Sequence, residues 1–294
     1  MELAHFDVAD DLDLRSTVKG AKTPVTVGPG ESWWSTRTPD GPGTLQLTRR
    51  SATSIEAAAW GPGAGWLLAQ TPALLGERDD LDGFTPPRPL LDLWRRRPFR
   101  LARTDRPWDA LVGAVFGQKV QTFHATRSRR ALARRFGERA PGPRTAWLLP
   151  PPERVARLGY ADFHRLGVER KRAESLIRAA RELVRCDEFA GWEPADAVAR
   201  LETVRGIGPW TTALVAATAW GDPDAVPVGD YHLPNTVAWA LAREARATDE
   251  RMLELLEPHA GHRWRVVRLA KASGSAPKYG PRLGLRGDGL HLGS

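Results

Sequence analysis

Residues 201–230 read LETVRGIGPWTTALVAATAWGDPDAVPVGD and place a Gly-Ile-Gly turn between two helix-forming stretches. Gly206 and Gly208 can adopt positive φ, which lets the main chain approach a phosphate closely. Pro209 suits the first position of the next helix, whose free N–H groups point at anions. A Gly-x-Gly before a helix is also common in ordinary turns between helices. The turn by itself leaves both interpretations open.

Asp230 closes this stretch, twenty residues after Trp210. Between them we predict a helix from Trp210 to Trp220, followed by a loop that contains Pro223 and Pro227, so the chain doubles back. An Asp that precedes a helix is most often an N-cap. A carboxylate beside a phosphate-binding turn also suits chemistry on a DNA sugar.

The charge of the chain is unevenly distributed. Residues 1–90 hold 8 basic and 12 acidic side chains, whereas residues 91–294 hold 35 and 23. Such asymmetry favours attraction of one part of the molecule to a polyanion. However, 37 of the 43 basic residues are Arg, and a GC-rich genome favours Arg codons. Such a codon bias explains the excess of basic residues equally well.

Composition excludes several other classes of protein. Cys186 is the only cysteine, so disulfide frameworks and four-thiolate metal centres are ruled out. The seven histidines show no metal-ligand spacing, and we expect neither a metal nor a cofactor. No stretch approaches 18 consecutive apolar residues, and the acidic N-terminus is unlike a signal peptide. We therefore expect a soluble, intracellular (cytoplasmic) protein.

Turn-rich, β-leaning segments fill residues 1–88, where we predict a small sheet with two helices. SIEAAAWG (54–61) fits a strand or a helix equally well, because periodicity does not resolve such short runs. A helical domain follows over residues 89–273, and the basic Gly/Pro-rich tail, 274–294, suits irregular structure or an extended DNA-facing arm. The predicted helices cover residues 90–95, 107–117, 121–136, 152–158, 170–185, 194–204, 210–220, 231–245, 249–257 and 262–273.

Three motifs together carry a family resemblance: GIGPWTT in the turn, WDALVGAVFGQKV (108–120), and LGVERKRAESLIRAARELV (166–184). With the spacing to Asp230, they resemble the helix-hairpin-helix (HhH-GPD) superfamily of DNA glycosylases, and within it the alkylpurine (3-methyladenine type II) branch. The resemblance spans about residues 100–270. It implies an α+β fold, with a mainly helical, two-lobed glycosylase body and a small N-terminal β-containing domain. The iron–sulfur branch needs four cysteines and does not apply.

The resemblance implies specific roles in the catalytic pocket. The Asp matched by Asp230 faces the anomeric carbon of a flipped nucleotide and stabilises positive charge on the sugar. Trp210 stands where strand-cutting relatives carry a Schiff-base lysine, and it would stack on alkylated purines in the base pocket. Leu214 and Tyr231 would complete that pocket. The chain departs from its relatives at Leu214, where some have Tyr, and at Ser273, where some have Trp; Trp210 is alternatively a core residue.

The DNA-binding surface is assigned in the same way. Gln118 and Lys119 match the step that fills the gap left by a flipped base, although a capped helix end would look similar. Helix 125–136 carries Arg127, Arg130 and Arg134 on one face, and residues 170–172 form a second basic cluster; such runs are often only solvated faces. The resemblance assigns the phosphate-binding hairpin to Gly206, Ile207, Gly208 and Thr211.

The sequence thus predicts a monomeric, monofunctional DNA glycosylase that removes damaged, alkylated purines from double-stranded DNA. A glycosylase with lyase activity on oxidised purines would need a lysine at position 210 or nearby, and its absence argues against that class. A non-catalytic binder of damaged DNA would keep the hairpin and could lose Asp230. A glycosylase for another modified base stays open as well.

Overall fold

The computed structural model describes residues 1–9, 12–20, 25–27, 30–274 and 276–277. Within these residues the N-terminal part forms one antiparallel sheet with the strand order β1-β5-β4-β3-β2. Its strands are β1 (Glu2–Asp7), β2 (Val25–Val27), β3 (Glu31–Thr38), β4 (Gly41–Arg49) and β5 (Ser54–Trp60). Two helices accompany it, namely α1 (Leu14–Gly20) and α2 (Ala64–Leu74).

The inner face of this sheet builds the first hydrophobic core. Trp34 lies opposite Leu45, and Leu45 opposite Ala59, so alternate residues of three strands point to the same side. These side chains are buried together with Leu67 and Leu74 of α2. The segment that fits a strand or a helix is strand β5, because it pairs with β1 on one side and β4 on the other.

Helices dominate the rest of the chain. They are α3 (Leu91–Arg96), α4 (Pro107–Gly117), α5 (Thr122–Phe136), α6 (Pro152–Ala156), α7 (Tyr160–His164), α8 (Arg170–Arg185), α9 (Pro194–Glu202), α10 (Pro209–Val215), α11 (Leu233–Ala242), α12 (Asp249–Leu256) and α13 (Arg263–Ser273). A π-helical turn, Ala216–Trp220, prolongs α10. The short hairpin β6 (Glu138–Arg139) and β7 (Trp147–Leu148) lies between α5 and α6. That hairpin and α7 have no counterpart in the sequence prediction.

The helical body contains two hydrophobic cores. One is formed mainly by α4, α5 and α8, around Phe116, Leu132 and Leu176. The other is formed mainly by α11, α12 and α13, around Val237, Met252 and Val266. Helix α10 contributes to both, so the Gly-Ile-Gly turn that precedes it lies where the two helical lobes meet.

Buried polar contacts join the sheet region to the helices. Thr36 on β3 donates a 2.6 Å hydrogen bond to Asp109 of α4. Arg265 of α13 forms a bidentate ion pair with Asp79 at 2.7 and 2.8 Å, and both side chains are almost fully buried. The N-terminal part is therefore packed against both helical lobes.

The predicted α+β class, with a mainly helical two-lobed body and a small N-terminal sheet, is confirmed. The domain boundaries that the sequence places after residues 88 and 273 stay predictions. The tail after Gly274 lies almost wholly outside the described residues, and so does its predicted role. None of the helices within the described ranges is long and apolar enough to cross a membrane.

Candidate active site and DNA-binding surface

The two glycines of the hairpin have different structural roles. Gly206 has φ +95°, and a Cβ there would lie 1.9 Å from the Ser175 hydroxyl oxygen, so both backbone and space require glycine. Gly208 does not use the positive φ that a glycine can adopt: as the N-cap of α10 it is extended, with φ −132°, which any residue can adopt. A Cβ at position 208 would meet nothing within 4 Å. The surface at Gly208 is therefore open to a close approach from outside.

Asp230 is half-buried, and both of its carboxylate oxygens accept hydrogen bonds. One carboxylate oxygen, Oδ2, accepts a 3.0 Å hydrogen bond from the Trp210 indole N–H. The other, Oδ1, accepts bonds of 2.9 Å from the backbone N–H groups of His232 and Leu233 at the start of α11. The N-cap of α11 is His232 rather than Asp230, but one Asp230 oxygen still accepts from the first N–H groups of that helix while the other contacts Trp210.

These contacts keep the carboxylate ionised. Burial alone would raise the pKa of Asp230, but the hydrogen bonds from Trp210, His232 and Leu233 and the charge of Lys271 outweigh it. The pKa therefore lies below its ordinary value of 3.8. A charged, partly desolvated carboxylate results, which suits stabilisation of an adjacent cation.

The three residues predicted for the base pocket lie in different environments. Trp210 is half-buried, and its ring lies 3.6 Å from where a Cβ on Gly117 would be. Tyr231 is 86% exposed, and its ring meets the His232 ring edge to face. Leu214 is buried in the second helical core, behind Trp210 in α10. Trp210 and Tyr231 are thus the accessible aromatic groups beside Asp230.

Gln118 connects the end of α4 to the hairpin. Its side-chain amide donates one 3.0 Å hydrogen bond to the Gly206 carbonyl and another to the Thr211 hydroxyl. Lys119 is exposed, with φ +54°. The side chains of Thr211 and Ile207 are buried, so a DNA contact by either residue would use the main chain. The structure thus brings the predicted step and the predicted hairpin together.

Two residues that act on the candidate site were not identified from the sequence. Lys271, in the last turn of α13, is the cation whose charge acts on Asp230. Arg172 is buried and donates a 3.1 Å bond to the Phe116 carbonyl, so it supports the C-terminal turn of α4 next to Gln118. Nothing in local sequence spacing links residue 271 to residue 230. Arg172 did belong to the basic cluster 170–172, for which the sequence left open a solvated face or phosphate contacts.

The second basic cluster is mostly occupied within the protein. Arg172 is buried, and Arg170 covers the ring of Tyr160 at 4.3 Å and pairs with Glu174. Lys171 is exposed. On α5, the side chains of Arg127, Arg130 and Arg134 are exposed to solvent. No group of three potential metal-ligand side chains occurs in the described part of the chain.

Comparison with known proteins identifies the family. The sequence model described as "HhH-GPD superfamily base excision DNA repair protein" matches residues 112–260, about half of the chain. A DNA-3-methyladenine glycosylase of Bacillus subtilis is 29% identical over 178 residues, which is 58% of this chain and 58% of the Bacillus protein. The chain thus matches less than two thirds of that relative's length.

Two solved structures support the same assignment at the level of the fold. A 3-methyladenine DNA-glycosylase from Archaeoglobus fulgidus superposes with a TM-score of 0.72 over 93% of this chain and 98% of its own, at 18% identity. An 8-oxoguanine glycosylase/lyase from Clostridium acetobutylicum reaches 0.69 over 93% and 97%, at 9% identity. The fold alone therefore does not separate these two activities. By the match over residues 112–260, the chain belongs to the HhH-GPD superfamily of base excision DNA repair proteins.

Proposed function

We propose that this protein is a monofunctional DNA glycosylase that hydrolyses the N-glycosidic bond of alkylated purines in duplex DNA. The observation that carries the proposal is the ionised Asp230, hydrogen-bonded to Trp210 directly after the hairpin. The names of the Bacillus subtilis and Archaeoglobus fulgidus relatives support alkylated bases as the substrate class.

The proposed reaction proceeds through a base flipped out of the duplex. The main chain at Gly208 meets a phosphate, and Trp210 and Tyr231 contact the extruded base. As the C–N bond lengthens, the sugar acquires oxocarbenium character, and the Asp230 carboxylate stabilises this charge. Water then adds to the sugar and leaves an abasic site. A cationic alkylated base is already a good leaving group, so one carboxylate suffices.

Lyase activity is the second candidate function, because Lys271 carries an amine and its charge lowers the pKa of Asp230. A strand-cutting enzyme forms a Schiff base between such an amine and the sugar. Position 210, where strand-cutting relatives carry that lysine, is Trp, and its N–H is bound to Asp230. We therefore expect no covalent adduct on borohydride treatment. An adduct that disappears in Lys271→Ala would establish lyase activity instead.

The direct test is a panel of duplexes that each carry one alkylated, deaminated, oxidised or etheno base. After incubation, alkali reveals abasic sites as strand breaks. We expect cleavage after alkali with alkylated purines, and a loss of at least about a hundredfold in Asp230→Asn, with DNA affinity retained. Asp92→Asn, an exposed acid on α3, is the matched control. Equal turnover of Asp230→Asn and the wild type would contradict the assignment.

A further inference from the structure

Two main-chain N–H groups of the hairpin have no acceptor within the residues that the structure describes. They belong to Gly206 and Gly208, and the Gly206 backbone is exposed. The Ile207 N–H between them donates to the Val204 carbonyl at 2.9 Å, so it is already used inside the turn. An exposed N–H without an internal acceptor can donate to the oxygen of an incoming phosphate.

The direction of the Gly206 N–H is set by the carbonyl at the other end of the same peptide group. A trans peptide group is planar, and its N–H and C=O point in opposite directions. The C=O of this group belongs to Arg205, and it accepts a 3.1 Å hydrogen bond from the Nε–H of Arg178 on α8. Arg178 thus keeps the carbonyl turned towards α8 and the N–H turned away from it.

Within the described part of the chain, Arg178 is the only hydrogen-bond partner of this peptide group. The next peptide group, between Gly206 and Ile207, is bound at both ends, because Gln118 donates to its carbonyl and its own N–H donates within the turn. Gly206 has φ +95°, and a glycine allows the adjoining peptide group to rotate at little steric cost. Without Arg178, the group between Arg205 and Gly206 is therefore free to turn.

Helix α8 approaches the hairpin closely enough to support this role. Ser175, one turn before Arg178, is buried and lies directly against Gly206, since a Cβ there would come within 1.9 Å of its hydroxyl oxygen. Glu174 forms an ion pair with Arg178 at 3.7 Å, and the Arg178 side chain is 35% exposed. These contacts restrict the guanidinium to the side of α8 that faces the turn.

We propose that Arg178 is a positioning residue of the DNA-binding hairpin: it holds the peptide group between Arg205 and Gly206 so that the Gly206 N–H points at a DNA phosphate. The proposal rests on the proposed function, because it takes the hairpin as the phosphate-binding element. Arg178 acts through the hairpin and does not itself contact the DNA. Its loss should therefore weaken binding without removing an ionic contact.

The test compares two arginines of α8 that bond main-chain carbonyls in the same way. The Arg181 Nε–H donates to the Ala156 carbonyl at 3.3 Å, and this carbonyl lies outside the hairpin. Arg178→Ala and Arg181→Ala therefore remove the same charge and the same kind of bond. Affinity for an intact duplex is measured by fluorescence anisotropy at several salt concentrations. The single-turnover rate of base release is measured on alkylated duplex DNA at saturating enzyme.

Arg178→Ala is expected to bind the duplex about fivefold more weakly than wild type, since a phosphate donor loses the hydrogen bond that orients it. Arg181→Ala should stay within about twofold of wild type. The slope of affinity against salt should be the same in both variants, and the rate at saturating enzyme should not change in either. Arg178→Lys should recover most of the affinity, because its ammonium group can donate to the same carbonyl.

Equal affinities of the two alanine variants would overturn the proposal. A salt slope that falls by about 0.9 in Arg178→Ala but not in Arg181→Ala would overturn it as well, because that change marks a direct phosphate contact. If wild type binds duplex DNA but releases no base from any duplex, the proposed function is wrong, and the affinities alone decide on Arg178. If wild type does not bind duplex DNA, both proposals are wrong.

Discussion

At the scale of single residues, Asp230 combines contacts to the start of α11 with the catalytic role that we propose for it. The backbone N–H groups of His232 and Leu233 and the Trp210 indole all stabilise its charged form. Because its pKa in the folded protein is lowered, its ionisation contributes to stability above its ordinary pKa, and this contribution is lost as pH falls through the folded value. The same anion should be present over the whole neutral and mildly acidic range.

The first prediction concerns pH. Since Asp230 acts as an anion, base release should show no loss from Asp230 protonation as pH falls from 7 to about 5. Trp210→Phe removes one hydrogen bond to Asp230, so the acidic limb of the rate profile should move to higher pH. The measurement is the single-turnover rate on alkylated duplex DNA between about pH 3 and 8, corrected for base loss without enzyme, with Trp192→Phe, at an exposed indole, as the control. An unshifted limb would show that the indole N–H does not tune Asp230.

The second prediction concerns the backbone at Lys119, whose φ of +54° disfavours every residue except glycine. Lys119→Gly and Lys119→Ala lose the same charge, so the difference between them reports the backbone. We expect the glycine variant to be about 1 kcal/mol more stable in urea unfolding. Arg130 lies in the middle of α5 and provides the control. There the glycine variant should be less stable than the alanine variant, since glycine weakens a regular helix by roughly 1 kcal/mol. Equal stabilities at position 119 would contradict this account.

At the scale of elements, the hairpin separates a folding requirement from a binding requirement. Gly206→Ala should lower the free energy of unfolding by about 2–4 kcal/mol, because φ +95° and the contact with Ser175 both oppose a side chain.

Gly208→Val should have a free energy of unfolding within about 1 kcal/mol of wild type. It should bind intact duplex DNA at least several-fold more weakly, since its side chain lies where a phosphate would approach. The readouts are urea unfolding and fluorescence anisotropy. Wild-type affinity in Gly208→Val would remove the phosphate site from this surface.

The positions of the helices were largely predictable, because residues at the helix starts themselves mark where the helices begin. Pro107, Pro152, Pro194 and Pro209 each occupy the first helical position, where a missing N–H costs nothing. Strand β5 was not predictable, since its alanines favour a helix and only pairing with β1 and β4 makes it a strand.

The candidate site was predictable to a different extent. The family resemblance selected Asp230 and Trp210, but their hydrogen bond depends on the return of the chain over twenty residues. The charge of Lys271 near Asp230 and the use of Gln118 to hold the hairpin are also contacts between distant segments. No spacing rule encodes such contacts. The sequence also did not show which of the two hairpin glycines needs positive φ: Gly206 has it, whereas Gly208, at the capping position of α10, has extended backbone.

At the scale of the whole molecule, buried polar contacts unite three hydrophobic cores. The Asp79–Arg265 pair connects the segment after α2 to α13, the helix that also carries Lys271. Arg265 further donates to the Asp80 carbonyl and covers the ring of Phe84 at 5.2 Å. The helix that carries Lys271, whose charge lowers the pKa of Asp230, is thus held from the N-terminal side of the chain.

The last prediction tests this connection with two ion pairs on the same helix. Asp79→Ala leaves the buried Arg265 guanidinium without its partner and should cost about 3–5 kcal/mol in urea unfolding. The double variant Asp79→Leu with Arg265→Met should recover a large part of that loss, because no buried charge is left unpaired. Asp224→Ala breaks the half-exposed pair with Arg263, two residues earlier in α13, and should cost only roughly 1 kcal/mol. If both single variants lose the same stability, burial of the Asp79–Arg265 pair is not what fixes α13 against the N-terminal part of the chain.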